Sequence, residues 1–234
     1  MQAVVLSGGR GTRLGHLTDG VPKPMVTVAH RPFLEHELVL LAHHDITDVV
    51  LCLGYLGEQV LEYFGSGKGL GMHLEYSWDG DRPLGPIGAL KHAEPLLEPA
   101  FLTIYGDAYL RLDYQGLMDS LLASDRLGTM AVLHNHDRYG PSDLRVVDGV
   151  VEEYDKQHHR PDLDWVNFGV SALRRDALRL VRPDHFCDEE TFYRALIARR
   201  QLGAFEVTNR FYEIGSPAGL EQFREYVAGS THDH

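Results

Sequence analysis

Arg10, Arg13 and Lys23 stand close together in a stretch that begins Leu6-Ser7-Gly8-Gly9-Arg10-Gly11-Thr12-Arg13-Leu14 and continues to Pro22-Lys23-Pro24-Met25. The short apolar run Ala3-Val4-Val5-Leu6 precedes it. A buried strand that runs into a glycine-rich loop lets backbone N–H groups meet phosphate oxygens closely, because glycine has no Cβ in the way and tolerates unusual backbone angles. Three cations in the same loop suit the same ligand. The residue types therefore point to a nucleotide-phosphate site at the start of an α/β fold.

The rest of the chain must supply the elements that hold this loop. With 234 residues it can bury a substantial core as one domain. Strand-like runs alternate with helix-periodic segments, which favours a mostly parallel or mixed twisted central sheet flanked by helices. Strands are expected at Gln2–Leu6, Asp48–Leu53, Met72–Tyr76, Phe101–Tyr105, Thr129–Leu133, Val166–Leu173, Ala204–Val207 and Phe211–Ile214. Pro32 opens a helix with Phe33, Leu34, Leu38, Leu41 and Ala42 on one side, and Gly57–Phe64 is a second. Pro83–Gly88 is expected as a tight loop feeding a helix from Ala89 to Ala93. Asp113 caps a helix through Leu122, Asp188 one from Glu189 to Arg200, and Ser216 the last, with Pro217 at its first position. Asp148-Gly149 joins Leu144–Val147 to Val150–Tyr154 as a hairpin. One domain is expected over 1–229, with 1–125 mainly the nucleotide half and 126–229 mainly the acceptor half; 230–234 is expected to be a disordered tail.

Composition excludes several classes. The formal charge of −12 argues against a general binder of nucleic acid or of acidic membranes. Lysine occurs only four times, at Lys23, Lys68, Lys91 and Lys156, so each is informative. No run approaches the ~20 apolar residues of a membrane span, and no signal peptide is evident, so a cytoplasmic location is expected. Of the two cysteines, Cys52 sits in an apolar run and is expected to be a buried strand residue. The fourteen histidines are scattered; His43-His44 and His158-His159 are not at ligand spacing with carboxylates, and no histidine metal site is expected.

Two familiar phosphate loops fail on inspection. A P-loop needs a Gly-Lys pair that Gly8–Arg13 lacks, and a dinucleotide fingerprint needs a third glycine where Leu14 stands. The full stretch instead resembles the signature of the sugar-1-phosphate nucleotidyltransferases, GGxGTRL followed by PKP. Further landmarks keep the family's order. Leu84-Gly85-Pro86-Ile87-Gly88-Ala89-Leu90 resembles LGTAGAL, Tyr105-Gly106-Asp107 resembles NGD, and Glu153-Tyr154-Asp155-Lys156 resembles the segment ending in Glu-Lys. Val166-Asn167-Phe168-Gly169-Val170 resembles INAGIY, and Tyr212-Glu213-Ile214-Gly215-Ser216-Pro217 resembles the D-I-G-T-P segment. The likeness spans nearly the whole chain and is closest to the short bacterial branch that includes heptose 1-phosphate guanylyltransferases.

That resemblance implies a Rossmann-like nucleotidyltransferase fold and a Mg²⁺-dependent reaction. A phosphate oxygen of a sugar 1-phosphate attacks the α-phosphorus of a nucleoside triphosphate, and pyrophosphate leaves in line. The nucleophile is already ionised at neutral pH, so positioning and cations suffice without a strong base. By the same resemblance Gly8, Gly9, Gly11 and Thr12 wrap the triphosphate, Leu6 is a further substrate-binding residue, Arg13 and Lys23 stabilise the reacting phosphates, and Lys156 holds the sugar phosphate. Gly85 and Gly88 lie against base or sugar. Asp107 is the catalytic metal ligand and Glu213 the second ligand, although the family has Asp there and glutamate is one methylene longer. Asn167 either hydrogen-bonds a sugar hydroxyl or caps a strand end. The implied partners are a nucleoside triphosphate, GTP foremost, and a heptose 1-phosphate, with a homodimer as a possibility. Pro86-Ile87 and Tyr105 depart from the family pattern and leave the base open.

Two other functions fit parts of this pattern. A cytidylyltransferase for a small phosphorylated alcohol shares the GGxGTR…PKP opening, but Lys156 and the Asn167 segment favour a sugar-like acceptor. A non-catalytic regulatory subunit would be free to lose Arg13, Lys23, Asp107 and Lys156, all of which are present; only Glu213 speaks for it.

Overall fold

The computed structural model describes residues 1–9, 11, 14–15, 18–80, 82–158 and 160–230. The first strand, β1 (Gln2–Ser7), is apolar on both faces: Ala3 and Val5 enter one core layer and Val4 the other. Such two-sided burial is what an interior strand of a parallel sheet requires. A hairpin of β2 (Thr27–Val28) and β3 (Arg31–Pro32) follows and was not anticipated. Pro32 then caps α1 (Phe33–His43), whose Leu34, Leu38 and Leu41 are fully buried. The chain continues through β4 (Asp48–Leu53), α2 (Glu58–Phe64), β5 (His73–Trp78), α3 (Gly85–His92) and β6 (Ala100–Tyr105). Cys52 lies buried in β4 as expected.

After β6 the chain forms a two-residue strand, β7 (Ala108–Tyr109), then α4 (Tyr114–Leu122), where the Asp113 side chain accepts the Gly116 N–H at 2.8 Å. β8 (Gly128–His134), β9 (Leu144–Val147), β10 (Val150–Tyr154) and β11 (Trp165–Arg174) come next, with Asp148 and Gly149 both at positive φ in the hairpin turn. Then come α5 (Glu189–Ile197), β12 (Leu202–Val207), β13 (Tyr212–Glu213) and α6 (Pro217–Ser230).

Among the described residues one sheet carries the order β5-β4-β1-β6-β11-β8-β12-β10-β9. β5, β4, β1 and β6 are mutually parallel, whereas β11 runs antiparallel to both β6 and β8. One sheet thus runs through both halves of the chain, and it is mixed. Helices α1, α2 and α4 cover one face, and α3 and α5 the other. A third cluster, built on Phe33, Ile214, Leu220 and Phe223, fastens α6 beside the β2–β3 hairpin.

The largest departures from expected boundaries are three. α3 begins at Gly85 rather than Ala89, because Pro86 sits in the first turn, where its missing N–H costs nothing. α5 stops at Ile197 rather than Arg200. β13 is shorter than Phe211–Ile214 and pairs with β7 outside the main sheet.

Candidate active site

A cleft of about 660 Å³ opens at the carboxyl ends of β1 and β6, where open α/β sheets gather their ligands. Because β11 is antiparallel to β6, its first residues reach the same end of the sheet. The cleft is lined on one side by Leu6, Gly8, Gly9, Lys23, Asp79 and Asp107, and on the other by Asp143, Lys156, Asn167 and Glu189.

Lys23 lies in a short 3₁₀ turn between Pro22 and Pro24. Its ammonium is nearly buried and pairs with the Asp107 carboxylate, which follows β6 directly. The two family landmarks that most resemble catalytic residues therefore meet in space, although 84 residues separate them. Gly9 faces open space in the cleft wall, so a ligand can approach its backbone. Thr12, Arg13 and Arg10 lie outside the described residues.

Some expected residues sit elsewhere. Gly11, at φ 65°, does not line the cleft; it packs on Lys23 and Thr18 and closes the loop over that lysine. Gly88 also leaves the cleft wall, because a Cβ there would meet the His185 carbonyl oxygen at 2.6 Å. It packs against the 185–187 segment. Gly85 does line the cleft and, at φ 72°, has the left-handed backbone that a side chain would strain.

On the other side, Asp143, Lys156 and Asn167 come from three adjoining segments. The Asp155 N–H donates to the Asp143 carbonyl at 2.9 Å, and the Asn167 N–H donates to Asp143 Oδ1 at 3.2 Å. Asn167 Oδ1 accepts from Gly169 N–H at 2.9 Å, pinning the bulge that interrupts the β11–β8 pairing. Lys156 pairs with Glu189 at the start of α5. Glu189, Asp143, Asp79 and the exposed ring of Phe186 were not anticipated as cleft residues. None of them belongs to a family landmark, and topology brings them to the cleft.

Burial pushes the Asp143 carboxyl up to about 6; the Lys156 charge and the Asn167 N–H oppose that rise, and Glu190 adds to it. A carboxyl raised in the folded state holds a proton that the unfolded chain has released. Its ionisation therefore costs stability as pH rises from the unfolded value near 4 to about 6. Asp143→Asn is expected to gain about 2–3 kcal/mol relative to wild type between pH 4 and pH 7, read from urea unfolding at both pH values. An unchanged difference would remove Asp143 from that account.

The donors present bear on a divalent cation as follows. Six carboxylates line the cleft among the described residues, namely Asp79, Asp107, Asp143, Asp188, Glu189 and Glu213, against Lys23 and Lys156. A polyphosphate needs further positive charge there, and Asp107 is a hard oxygen donor of the kind Mg²⁺ takes. Glu213 fits less well. Its Oε1 accepts from the Ser216 hydroxyl at 2.6 Å and its Oε2 from the Gly215 N–H. Both donors stand just ahead of α6, which Ser216 caps by accepting the Gly219 N–H at 3.0 Å. The expected second ligand thus lines the cleft with its carboxylate already held by these two donors.

A family model described as "Nucleotidyl transferase" matches residues 2–143. The chain is 30% identical over 223 residues to the D-glycero-alpha-D-manno-heptose 1-phosphate guanylyltransferase of Campylobacter jejuni, covering 95% of this chain and 98% of that one. It is 28% identical over 229 residues to the glucose-1-phosphate cytidylyltransferase of Salmonella typhimurium, covering 88% of each. Among solved structures, HddC from Yersinia pseudotuberculosis complexed with GMP-PN superposes with a TM-score of 0.80 at 26% identity, over 97% of this chain and 99% of that chain. No helix among the described residues is long and apolar enough to cross a membrane.

Proposed function

The chain belongs to the nucleotidyl transferase family and is a sugar-1-phosphate nucleotidyltransferase, and on that premise we propose that it joins GTP to a heptose 1-phosphate with release of pyrophosphate. The observation that carries this reading is the end-to-end likeness to a heptose 1-phosphate guanylyltransferase of nearly the same length. The triphosphate occupies the side of Leu6, Gly8, Gly9 and Lys23, with Thr12 and Arg13 in the same loop. The sugar phosphate occupies the side of Lys156 and Asn167. Entering phosphate would take Asp107's place on Lys23, freeing that carboxylate. Asp107 would then hold Mg²⁺, which supplies charge neutralisation to the triphosphate and the leaving pyrophosphate. The protein's own contribution is to align the sugar phosphate oxygen with the α-phosphorus and to hold cations on the oxygens that gain charge.

Asp79 supports guanine as the base. It stands in the cleft wall, where a Cβ on Gly8 would lie 3.1 Å from its Oδ2. A carboxylate presents two acceptors, which match the adjacent N1–H and 2-amino donors of guanine; the Watson–Crick edge of cytosine offers one amino group and two acceptors. Pyrophosphate release measured across GTP, CTP, UTP and dTTP with a panel of sugar 1-phosphates tests the reading. GTP with a heptose 1-phosphate is expected to be the fastest pair, and Asp79→Asn is expected to lower kcat/KM for GTP by about 10–100-fold while sparing the other nucleotides. A faster reaction with CTP would favour a cytidylyl alternative, for which the Salmonella relative is one guide.

A further inference from the structure

The chain reverses at the end of β8 in an unusual way. His136 and Asp137 both adopt positive φ, 45° and 57°, and this turn folds the His136 ring back onto that of His134, with centroids 3.9 Å apart. Across from them Asp164 precedes β11. Its carboxylate Oδ2 lies 3.0 Å from His134 Nε2, and its carbonyl accepts the N–H groups of Asn135 and His136 at 2.9 and 3.1 Å. The ligand atoms of His134, His136 and Asp164 all lie within 4.8 Å of one another.

We propose that His134, His136 and Asp164 form a second cation site, separate from the cleft carboxylates, that takes a late first-row divalent ion such as Zn²⁺ or Co²⁺. Two imidazoles and one carboxylate are the donors such ions prefer over Mg²⁺. Ligands about 2.0–2.1 Å from a metal stand about 3.0–3.4 Å apart along a polyhedral edge, so the 3.0 Å separation of His134 Nε2 and Asp164 Oδ2 is already that of a coordinated pair. The donors are also held before any ion arrives. The His134 ring stacks on Trp165 at 4.4 Å and 19°. Asn135, inside the turn, is tied to Gly140 O, Ser142 Oγ and Tyr139 N–H. Pre-held donors lose little conformational freedom on binding. All three ligands are at least partly exposed, so water completes the shell. A bound ion would clamp the end of β8 to the start of β11, two strands whose shared bulge positions Asn167.

Trp165 makes the site observable. Titration of the purified protein with Co²⁺ is expected to quench its tryptophan fluorescence with one-to-one stoichiometry and to raise its Tm. Losing even an outer-shell partner weakens metal sites about 10–100-fold, so His136→Asn, which keeps a residue tolerant of positive φ, and Asp164→Asn should each weaken Co²⁺ by at least about tenfold. Both variants should keep the metal-free Tm within a few degrees. Asp107→Asn should leave the Co²⁺ response intact, and Trp165→Phe should remove the optical signal while equilibrium dialysis still finds the ion. No quench in the wild type, or an unchanged response in His136→Asn, overturns the site. A response lost in Asp107→Asn instead assigns the ion to the cleft and overturns it equally. Failure to turn over GTP would bear on the proposed reaction and not on this site.

Discussion

Asp107→Asn is expected to lower kcat for pyrophosphate release by about 10²–10³-fold or more while the protein stays folded. Asparagine keeps an acceptor for the nearly buried ammonium of Lys23, so the apo protein should unfold within a few degrees of wild type. It cannot supply the negative charge that holds a divalent cation against the phosphates, and turnover should fail. Asp107→Ala separates the two roles. It leaves Lys23 without the carboxylate it holds in the cleft, and the apo protein should lose about 2–3 kcal/mol, less than a fully buried broken pair because Asp107 is one-third exposed. A triphosphate offers Lys23 a new anion, so saturating nucleotide should restore part of that loss in the alanine variant. Near-normal turnover in Asp107→Asn, at any Mg²⁺ concentration, would end the assignment of Asp107 as the catalytic metal ligand. Thermal unfolding with and without nucleotide, beside steady-state kinetics, reads all of these outcomes.

Glu37→Met is expected to stabilise the protein. Glu37 sits on α1, 2% exposed, and neither carboxylate oxygen has a hydrogen-bond partner. Burial raises its pKa well above the ordinary carboxyl value, and the negative charge of Asp107 adds to the effect. The folded state therefore keeps a proton that the unfolded chain gives up. Above the ordinary carboxyl range this group costs about 1.4 kcal/mol of stability per pH unit, until pH reaches the raised value. Methionine has similar volume and no polar atoms to desolvate. A gain of about 2 kcal/mol at pH 7, or about 4–8 °C in Tm, is expected, together with a flatter decline in stability between pH 5 and pH 8. A variant that is less stable at pH 7, or that declines with pH as steeply as wild type, would show that Glu37 finds a partner in solution. A drop in turnover with the gain in Tm would mean that the strain behind Asp107 serves the reaction.

The parts of this fold legible in the sequence are those that local chemistry decides. Val49–Leu53 is apolar throughout, and Asp113 and Asp188 each carry the side chain that takes an N–H three residues on. Asp148-Gly149 reads as a turn because both residues accept positive φ. What could not be read is what only topology creates. Nothing in Asp143, Glu189 or Asp79 announces that they share a cleft with Lys156 and Lys23. That follows from β11 running antiparallel to β6 and bringing its bulge to the carboxyl end of β1. Glu213 was marked only by family position, and the donors that hold its carboxylate, at Gly215 and Ser216, were not read. His134 and His136 were equally silent, since their rings meet only through a left-handed turn that an L-residue seldom takes.

The backbone between Phe186 and Asp188 ties the two ends of the cleft together. The Cys187 carbonyl accepts the N–H groups of both Ile87 and Gly88, and the Cys187 N–H returns to the Leu84 carbonyl at 2.8 Å. Donors that a helix start would otherwise turn toward a ligand are thus spent on the protein itself. Two residues further on stands Glu189, the partner of Lys156. The start of α3 and the partner of Lys156 are therefore joined by one short stretch of backbone. On the proposed reaction, a shift of α3 on nucleotide binding would reach the partner of Lys156 through this one short stretch of backbone.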